Sequence, residues 1–277
     1  MVTHKCAQSE MRARRSDAAC YPRVVDRLTL SALAHTDHPI SAPLGDGTVA
    51  DLLDRAIPRP DAHLLDLGCG EGAWLLRALQ AHDAATAVGV DISDAGFDRT
   101  HAEALRCGVA DRLELVRHDV TTYRPTRRAD VVLSVGAAYA FGALLPTLAA
   151  AREHLAADGV LVLGDCFWER EPSPEVRAEV EAGPQGFTDL ASTVASVVAD
   201  GWTPVHGHVS TLAEWDEYEW SWTGSLARWA LDHPDHPDHR QALEASAAHR
   251  SAWLGGHRGV LGFVVLVLRP TPPGVGG

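Results

Sequence analysis

Five short apolar runs recur between residues 62 and 167 and fix most of what this chain can fold into. In order they read AHLLDLGC, TAVGVDIS, RLELVRHDV, ADVVLSVG and GVLVLGDCF. The fourth and fifth are almost continuously apolar, as strands covered on both faces are. Helical spacing follows the first run over residues 73–81, the second over 94–107 and the fourth over 142–155. Such strand–helix alternation builds a parallel sheet with helices on both faces.

The flanks have their own pattern. Residues 1–20 are polar and basic and are expected as a flexible tail. Residues 21–60 are expected as an N-terminal helical cap segment. It comprises a helix over 21–35 bearing Val24, Val25, Leu28, Leu30 and Leu33, the turn-rich HTDHPISAPLGDG, and a helix over 48–57 ended by PRP. Residues 61–277 read as one domain with a helical insertion at about 211–256. That insertion holds the acidic, Trp-rich AEWDEYEWSWTGSLARWALDH, the interruption HPDHPDH and a helix over 240–254, and GVLGFVVLVL closes the chain as a strand.

Composition excludes several classes. Hydrophobic residues make up 46% of the 277, enough for a sizeable core. Net charge is −13, and the basic groups Arg12, Arg14, Arg15 and Arg124, Arg127, Arg128 are short, so no nucleic-acid partner is expected. The five cysteines, Cys6, Cys20, Cys69, Cys107 and Cys166, are odd in number and contain no CxxC, which argues for reduced thiols and no zinc site. The N-terminus lacks an apolar signal region and no run has the length of a bilayer span. A cytoplasmic chain without membrane partners, monomeric or homodimeric, is the expectation.

The first run ends in LLDLGCGEG, a glycine turn between a strand and a helix. Gly68 and Gly70, with Ala73 in third place, satisfy a pattern shared by nicotinamide, flavin and S-adenosylmethionine enzymes. The carboxylates discriminate. A pyrophosphate here would lie beside Asp66 and Glu71, each like-charge contact costing on the order of 4 kcal/mol at about 4 Å and an effective dielectric of 20. S-adenosylmethionine carries an ammonium and a sulfonium, which turn the same carboxylates into assets. Asp91, ending the second run, can accept both ribose hydroxyls, as it also would in a nicotinamide enzyme. Asp119 can accept from an adenine amine, with the Val120 backbone completing the contact; a turn-capping aspartate is the plainer reading.

Taken together, LLDLGCGEG, VGVDIS, RHDVT, ADVVLSVGAAYAFG and HLAADGVLVLGDCFWER resemble the successive motifs of class I S-adenosylmethionine-dependent methyltransferases. Further stretches, HTDHPISAPL, GAAYAFG, GDCFWEREPSP, WDEYEWSW and GVLGFVVLVLRP, are similar to a bacterial small-molecule branch of mostly unassigned substrate. The resemblance implies a Rossmann-like seven-stranded α/β sheet, its last strand antiparallel, with helices on both faces and a helical insertion before that strand. It implies S-adenosylmethionine contacts at Asp66, Gly68, Gly70, Asp91, Asp119 and Val120; the adjoining Cys69, Ile92 and Gly136 complete the expected set. Where that branch often carries a Ser-His or Thr-His pair, this chain has Ala138-Tyr139, and its acid after the fifth run is Asp165 instead of Glu.

Methyl transfer is an in-line displacement, so positioning supplies much of the rate and a general base is optional. Tyr139 and Asp165 follow strands four and five, where such sheets bind ligands. His38, with its titration range near neutrality, is a third catalytic candidate, against a plain surface-loop histidine. Phe167, Trp168, Trp215 and Trp220 are candidates for the small-molecule substrate, an amine or hydroxyl; tryptophan faces and carboxylates suit a cationic amine. The plainer reading of the tryptophans is a helix face packed on the sheet. HPDHPDH reads as exposed turns, no metal site is expected, Cys69 reads as a small filler, and no GxSxG elbow supports a hydrolase. The alternatives are a nicotinamide-dependent oxidoreductase and a non-catalytic S-adenosylmethionine-binding protein.

Overall fold

A computed structural model of the chain describes residues 27–180 and 186–272. The expected tail, the 21–26 part of the first helix, Cys6 and Cys20 lie outside the described residues.

The sheet has seven strands in the order β3-β2-β1-β4-β5-β7-β6. They are β1 (His63–Leu67), β2 (Thr86–Asp91), β3 (Leu113–Arg117), β4 (Ala129–Val135), β5 (Leu155–Trp168), β6 (Trp202–Val209) and β7 (Leu261–Pro270). Strands β1 to β5 pair in parallel, and β7 runs antiparallel between β5 and β6. The helices are α1 (Arg27–Ala34), α2 (Asp46–Ala56), α3 (Ala73–Ala81), α4 (Phe97–Arg106), α5 (Leu144–His154), α6 (Pro174–Val180), α7 (Leu190–Ala199), α8 (Leu212–Asp232) and α9 (His239–Ala252).

The period of two in a strand divides the core. Leu64 joins Leu52, Leu53, Trp74, Leu75 and Val131 on one face of the sheet. Its neighbour Leu65 joins Leu148, Leu161, Val197 and Trp202 on the other. Helices α2 and α3 therefore cover one face, α5 and α7 the other. Arg112 fastens the end of α3: its guanidinium donates to the carbonyls of Leu79, His82 and Ala85 at 2.8–3.0 Å, groups that a helix end leaves without partners.

The insertion between β6 and β7 is an α8–α9 hairpin. Residues of α1, among them Leu30, Leu33 and Ala34, pack with Leu226, Ala230 and Ala242 of that hairpin in a third cluster away from the sheet. Helix α8 opens with a capping box between Thr211 and Glu214. The Glu214 carboxylate also accepts from Thr48 Oγ1 at 2.9 Å, tying the insertion to the segment before the sheet.

Candidate active site

The turn after β1 is built for glycine. Gly68, Gly70 and Gly72 have φ of +90°, +52° and +71°, and a Cβ on Gly68 would stand 2.5 Å from that of Ala137. The backbone N–H groups of Gly68 and Cys69 both donate to Val90 O, at 2.8 and 3.1 Å, which binds the turn to the end of β2. Cys69 is buried, its Sγ 2.8 Å from where a Cβ on Gly89 would lie, and burial pushes its thiol well up; it fills space.

Three carboxylates border this turn, with different fates. Asp66 is 4% exposed, and no hydrogen-bond donor among the described residues is assigned to it. Burial, and then the Asp91 charge, push its carboxyl up to about 8. Asp91 uses Oδ2 to accept from Gly70 N and Oδ1 to accept from Ser93 N, both at 2.9 Å, and each oxygen retains a lone pair. Glu71 turns away to pair with Arg99 of α4. Its charge is thereby offset, so the case against a diphosphate rests on Asp66 and not, as the sequence suggests, on Glu71 as well.

Farther along the strand ends, Ile92 is 60% exposed beside Asp91. Asp119 caps its turn: Oδ1 accepts from Thr121 N at 2.9 Å and Thr121 Oγ1 at 2.7 Å, which holds its carboxyl below the usual range. Val120 behind it is buried, and Gly136, after β4, is exposed with φ +67°. Ser41 crosses above: its Oγ lies 4.0 Å from a Cβ position on Gly70 and its carbonyl 3.9 Å from one on Gly136. Ser41 itself has φ +56°, a left-handed conformation uncommon outside glycine.

The catalytic candidates occupy unlike environments. His38 is buried, not a surface residue; its ring meets Tyr218 edge-on with centroids 5.5 Å apart, and its Nδ1 has no hydrogen-bond partner among the described residues. Asp165, at the end of β5, accepts from Cys166 N at 2.8 Å, and burial raises its carboxyl to about 6. Tyr139 lies on a short 3-10 turn after β4 and is 69% exposed.

Most of the aromatic substrate candidates are accounted for by packing. Trp215 belongs to the core, stacked on Trp253 at 5.2 Å and edge-on to Phe263. Phe167 is fully buried over Gly262, on the opposite face of the sheet. Trp220 points outward, away from both. Trp168 is buried beside Phe187, with the Arg177 guanidinium over its ring at 5.6 Å. The 233–239 stretch forms successive turns, His236 N to His233 O and His239 N to His236 O. A groove of about 970 Å³ opens elsewhere, between α3 and α4, and takes only Glu71 from the glycine turn itself.

Glu219, an acid of the Trp-rich stretch that the sequence does not single out, is buried on α8. Trp215, Glu219, Thr223, Leu226 and Ala230 recur every three or four residues and form the buried face, a spacing that points to Glu219 only once Trp215 is known to face inward.

Comparison with known proteins agrees with this geometry. A family model described as a methyltransferase domain matches residues 64–159. The uncharacterized protein YjhP of Escherichia coli is 24% identical over 73% of this chain and 82% of its own length. A methyltransferase from Geobacter sulfurreducens, solved with S-adenosyl-L-homocysteine, superposes with TM-score 0.79 and 24% identity over 87% of this chain and 98% of that one. Another, from Thiobacillus denitrificans, gives 0.80 and 23% over 89% and 99%. The strand order, the antiparallel β7 and the matched segment agree: the fold is that of the class I methyltransferases, and residues 64–159 match a methyltransferase domain.

Proposed function

We propose that the protein transfers a methyl group from S-adenosylmethionine to a small-molecule acceptor, at an amine nitrogen or a hydroxyl oxygen. The observation that carries this reading is Asp66, a buried carboxyl held next to a second carboxylate. A cation set beside it stabilises its charged form; an anionic diphosphate would raise its protonation further. Strand order adds a second argument, because nicotinamide-binding sheets of this type are mostly parallel throughout, whereas β7 here is antiparallel.

The residues present fit the cofactor. Asp66 and the Gly68–Gly70 turn suit its amino-acid end, Asp91 the ribose hydroxyls, the free oxygen of Asp119 and the Val120 backbone the adenine edge, and exposed Ile92 the adenine face. Cys69 and Gly136 give the close backbone approach. When bound, the cofactor supplies an electrophilic methyl on a positively charged sulfur. This chain's contribution is to orient the acceptor, exclude water and receive a proton where the acceptor has one to lose. His38, Asp165 and Tyr139 are the proposed acceptor-side groups. No helix among the described residues is long and apolar enough to cross a membrane.

Calorimetric titration with S-adenosylhomocysteine and with NADH tests the reading. Binding of the first and not the second is expected. The reverse result would overturn the cofactor assignment. Cofactor binding with no labelled product from any cell extract would favour the non-catalytic alternative.

A further inference from the structure

Beyond the ends of β4 and β5 lies a group of ionisable side chains that cofactor binding does not employ. Ser41, which crosses Gly70 and Gly136, belongs to the same turn as His38, Ser41 N donating to His38 O at 3.1 Å. His38 in turn packs on Tyr218 of α8. The Tyr218 hydroxyl lies 3.0 Å from His35 Nε2, and His35 Nδ1 lies 2.7 Å from the Ser31 carbonyl. Burial lowers the pKa of His35, so the ring is neutral: Nδ1 donates to Ser31 and Nε2 accepts from Tyr218.

Next to Tyr218 is Glu219, 6% exposed. Its Oε2 stands 2.7 Å from His249 Nε2 of α9, at ion-pair distance, although the two atoms are not aligned as a hydrogen bond and Oε2 has no hydrogen-bond donor among the described residues. His249 stacks on Trp222 with ring centroids 3.9 Å apart, and its side chain is 36% exposed, so the pair leads from the interior to solvent. The partner of this buried carboxylate is therefore a histidine, which can give up its charge, and not an arginine, which cannot. The titratable groups facing Glu219 are His249 from α9, His35 from the segment before α2, Tyr218 on its own helix and Cys166 from β5. Cys166, directly after Asp165, has its thiol raised by burial, by Asp165 and by Glu219, and so stays protonated. The second sign of a ligand is His38 Nδ1, buried here without a hydrogen-bond partner among the described residues.

We propose that Glu219 and His249 form a proton-removing pair for a basic amine acceptor, Glu219 holding the ammonium form and His249 handing its proton to solvent. This rests on the methyltransferase reading above and narrows its acceptor to amines. An ammonium cannot attack, because its nitrogen lone pair is bound to a proton. The N–H bond breaks, the electron pair stays on nitrogen, and the proton forms an O–H bond on Glu219. It then passes to Nε2 of neutral His249, and the imidazolium releases its Nδ1 proton to water. Glu219 returns to a carboxylate and the amine is left as the free base. Glu219 touches the acceptor in this account; His249 acts through Glu219 as a positioning and relay residue.

The test uses the full chain saturated with S-adenosylhomocysteine and four probes: phenethylamine, butylamine, 2-phenylethanol and butanol. At least one amine is expected to bind ten times or more tighter than its alcohol, with proton release that calorimetry in buffers of different ionisation enthalpy counts. Glu219→Gln should abolish that preference while leaving S-adenosylhomocysteine affinity unchanged, and Glu219→Asp should weaken it. His249→Asn should keep amine binding but change the proton count and its pH profile. Glu217→Gln, the same charge change at an exposed site on α8, should do nothing. No amine binding, equal binding of amine and alcohol, or a Glu219→Gln protein that behaves as wild type would overturn the inference. Failure of S-adenosylhomocysteine to bind wild type would instead overturn the cofactor reading, so the two failures are distinct.

Discussion

Asp91 Oδ2 accepts the backbone N–H of Gly70 at 2.9 Å, so the carboxylate proposed to hold the ribose also holds the glycine turn in place. Asp91→Ala should therefore weaken S-adenosylhomocysteine binding at least tenfold, since hydrogen bonds to a charged acceptor are worth roughly 1.5–3 kcal/mol. Isothermal calorimetry reads this directly, and unchanged affinity would remove Asp91 from the site.

Asp66 makes two pH dependences of opposite sense. Without ligand, its carboxyl titrates near 8 in the fold but at its ordinary, much lower value when unfolded. Between those values the folded state holds the extra proton, so stability declines as pH rises from about 4 to 8. Asp165, raised to about 6, adds a decline of the same sign at the lower end. The ammonium of S-adenosylhomocysteine favours the ionised Asp66, so its affinity should climb toward pH 8 and then level off. Asp66→Asn should flatten the ligand curve and lift the melting temperature at pH 9. A ligand curve equally steep in the variant would assign the titration elsewhere.

Ile92 is a large apolar side chain with 60% of its surface in water. Nothing in folding gains from that exposure, whereas covering it with a flat heterocycle would. Ile92→Ser should cost about 1–2 kcal/mol of ligand affinity, roughly five- to thirty-fold in Kd, with little change in the melting temperature of the free protein. A large loss of thermal stability with intact affinity would mark the residue as structural.

Glu214 accepts from Thr48 Oγ1 at 2.9 Å, Thr211 N at 2.8 Å and His208 Nε2 at 3.2 Å. Removing it deprives both the α8 capping box and the tie to α2. Glu214→Ala should lower stability by about 2–3 kcal/mol. Urea unfolding should show a lower midpoint at unchanged slope; a midpoint equal to wild type would mean that water replaces these bonds.

Most of the sheet was legible because β1 to β5 and β7 contain short apolar runs, from HLLDL to GFVVLV, and because a glycine turn with φ near +90° at Gly68 tolerates no side chain; β6, WTPVHGHV, has no such run. Helix α6 escaped notice: seven residues are too few to display a period. The start of β5 also differs, at Leu155 instead of near Gly159, because Leu155 pairs with Ala129 across a register shift that no local pattern encodes. Around the candidate site, spacing along α8 marked a helix but not which tryptophan faced inward. Trp215 and Trp220 are five residues apart, about 140° around the helix, and only tertiary contact decides which of the two is covered. His38 lies in a loop composition that favours solvent. Its burial depends on Tyr218, about 180 positions later, a contact no local reading of the sequence contains.

The bond from Glu214 to Thr48 has an evolutionary corollary. One half of the sheet, β3 to β4, presents the residues suited to a constant donor; the hairpin of α8 and α9, with the turn around His38, frames what that donor meets. A chimera importing residues 211–257 alone from a relative would meet a foreign anchor at Thr48. On the proposed reading, a transplant of acceptor preference should require two segments far apart in sequence, 35–48 and 211–257, to be exchanged together.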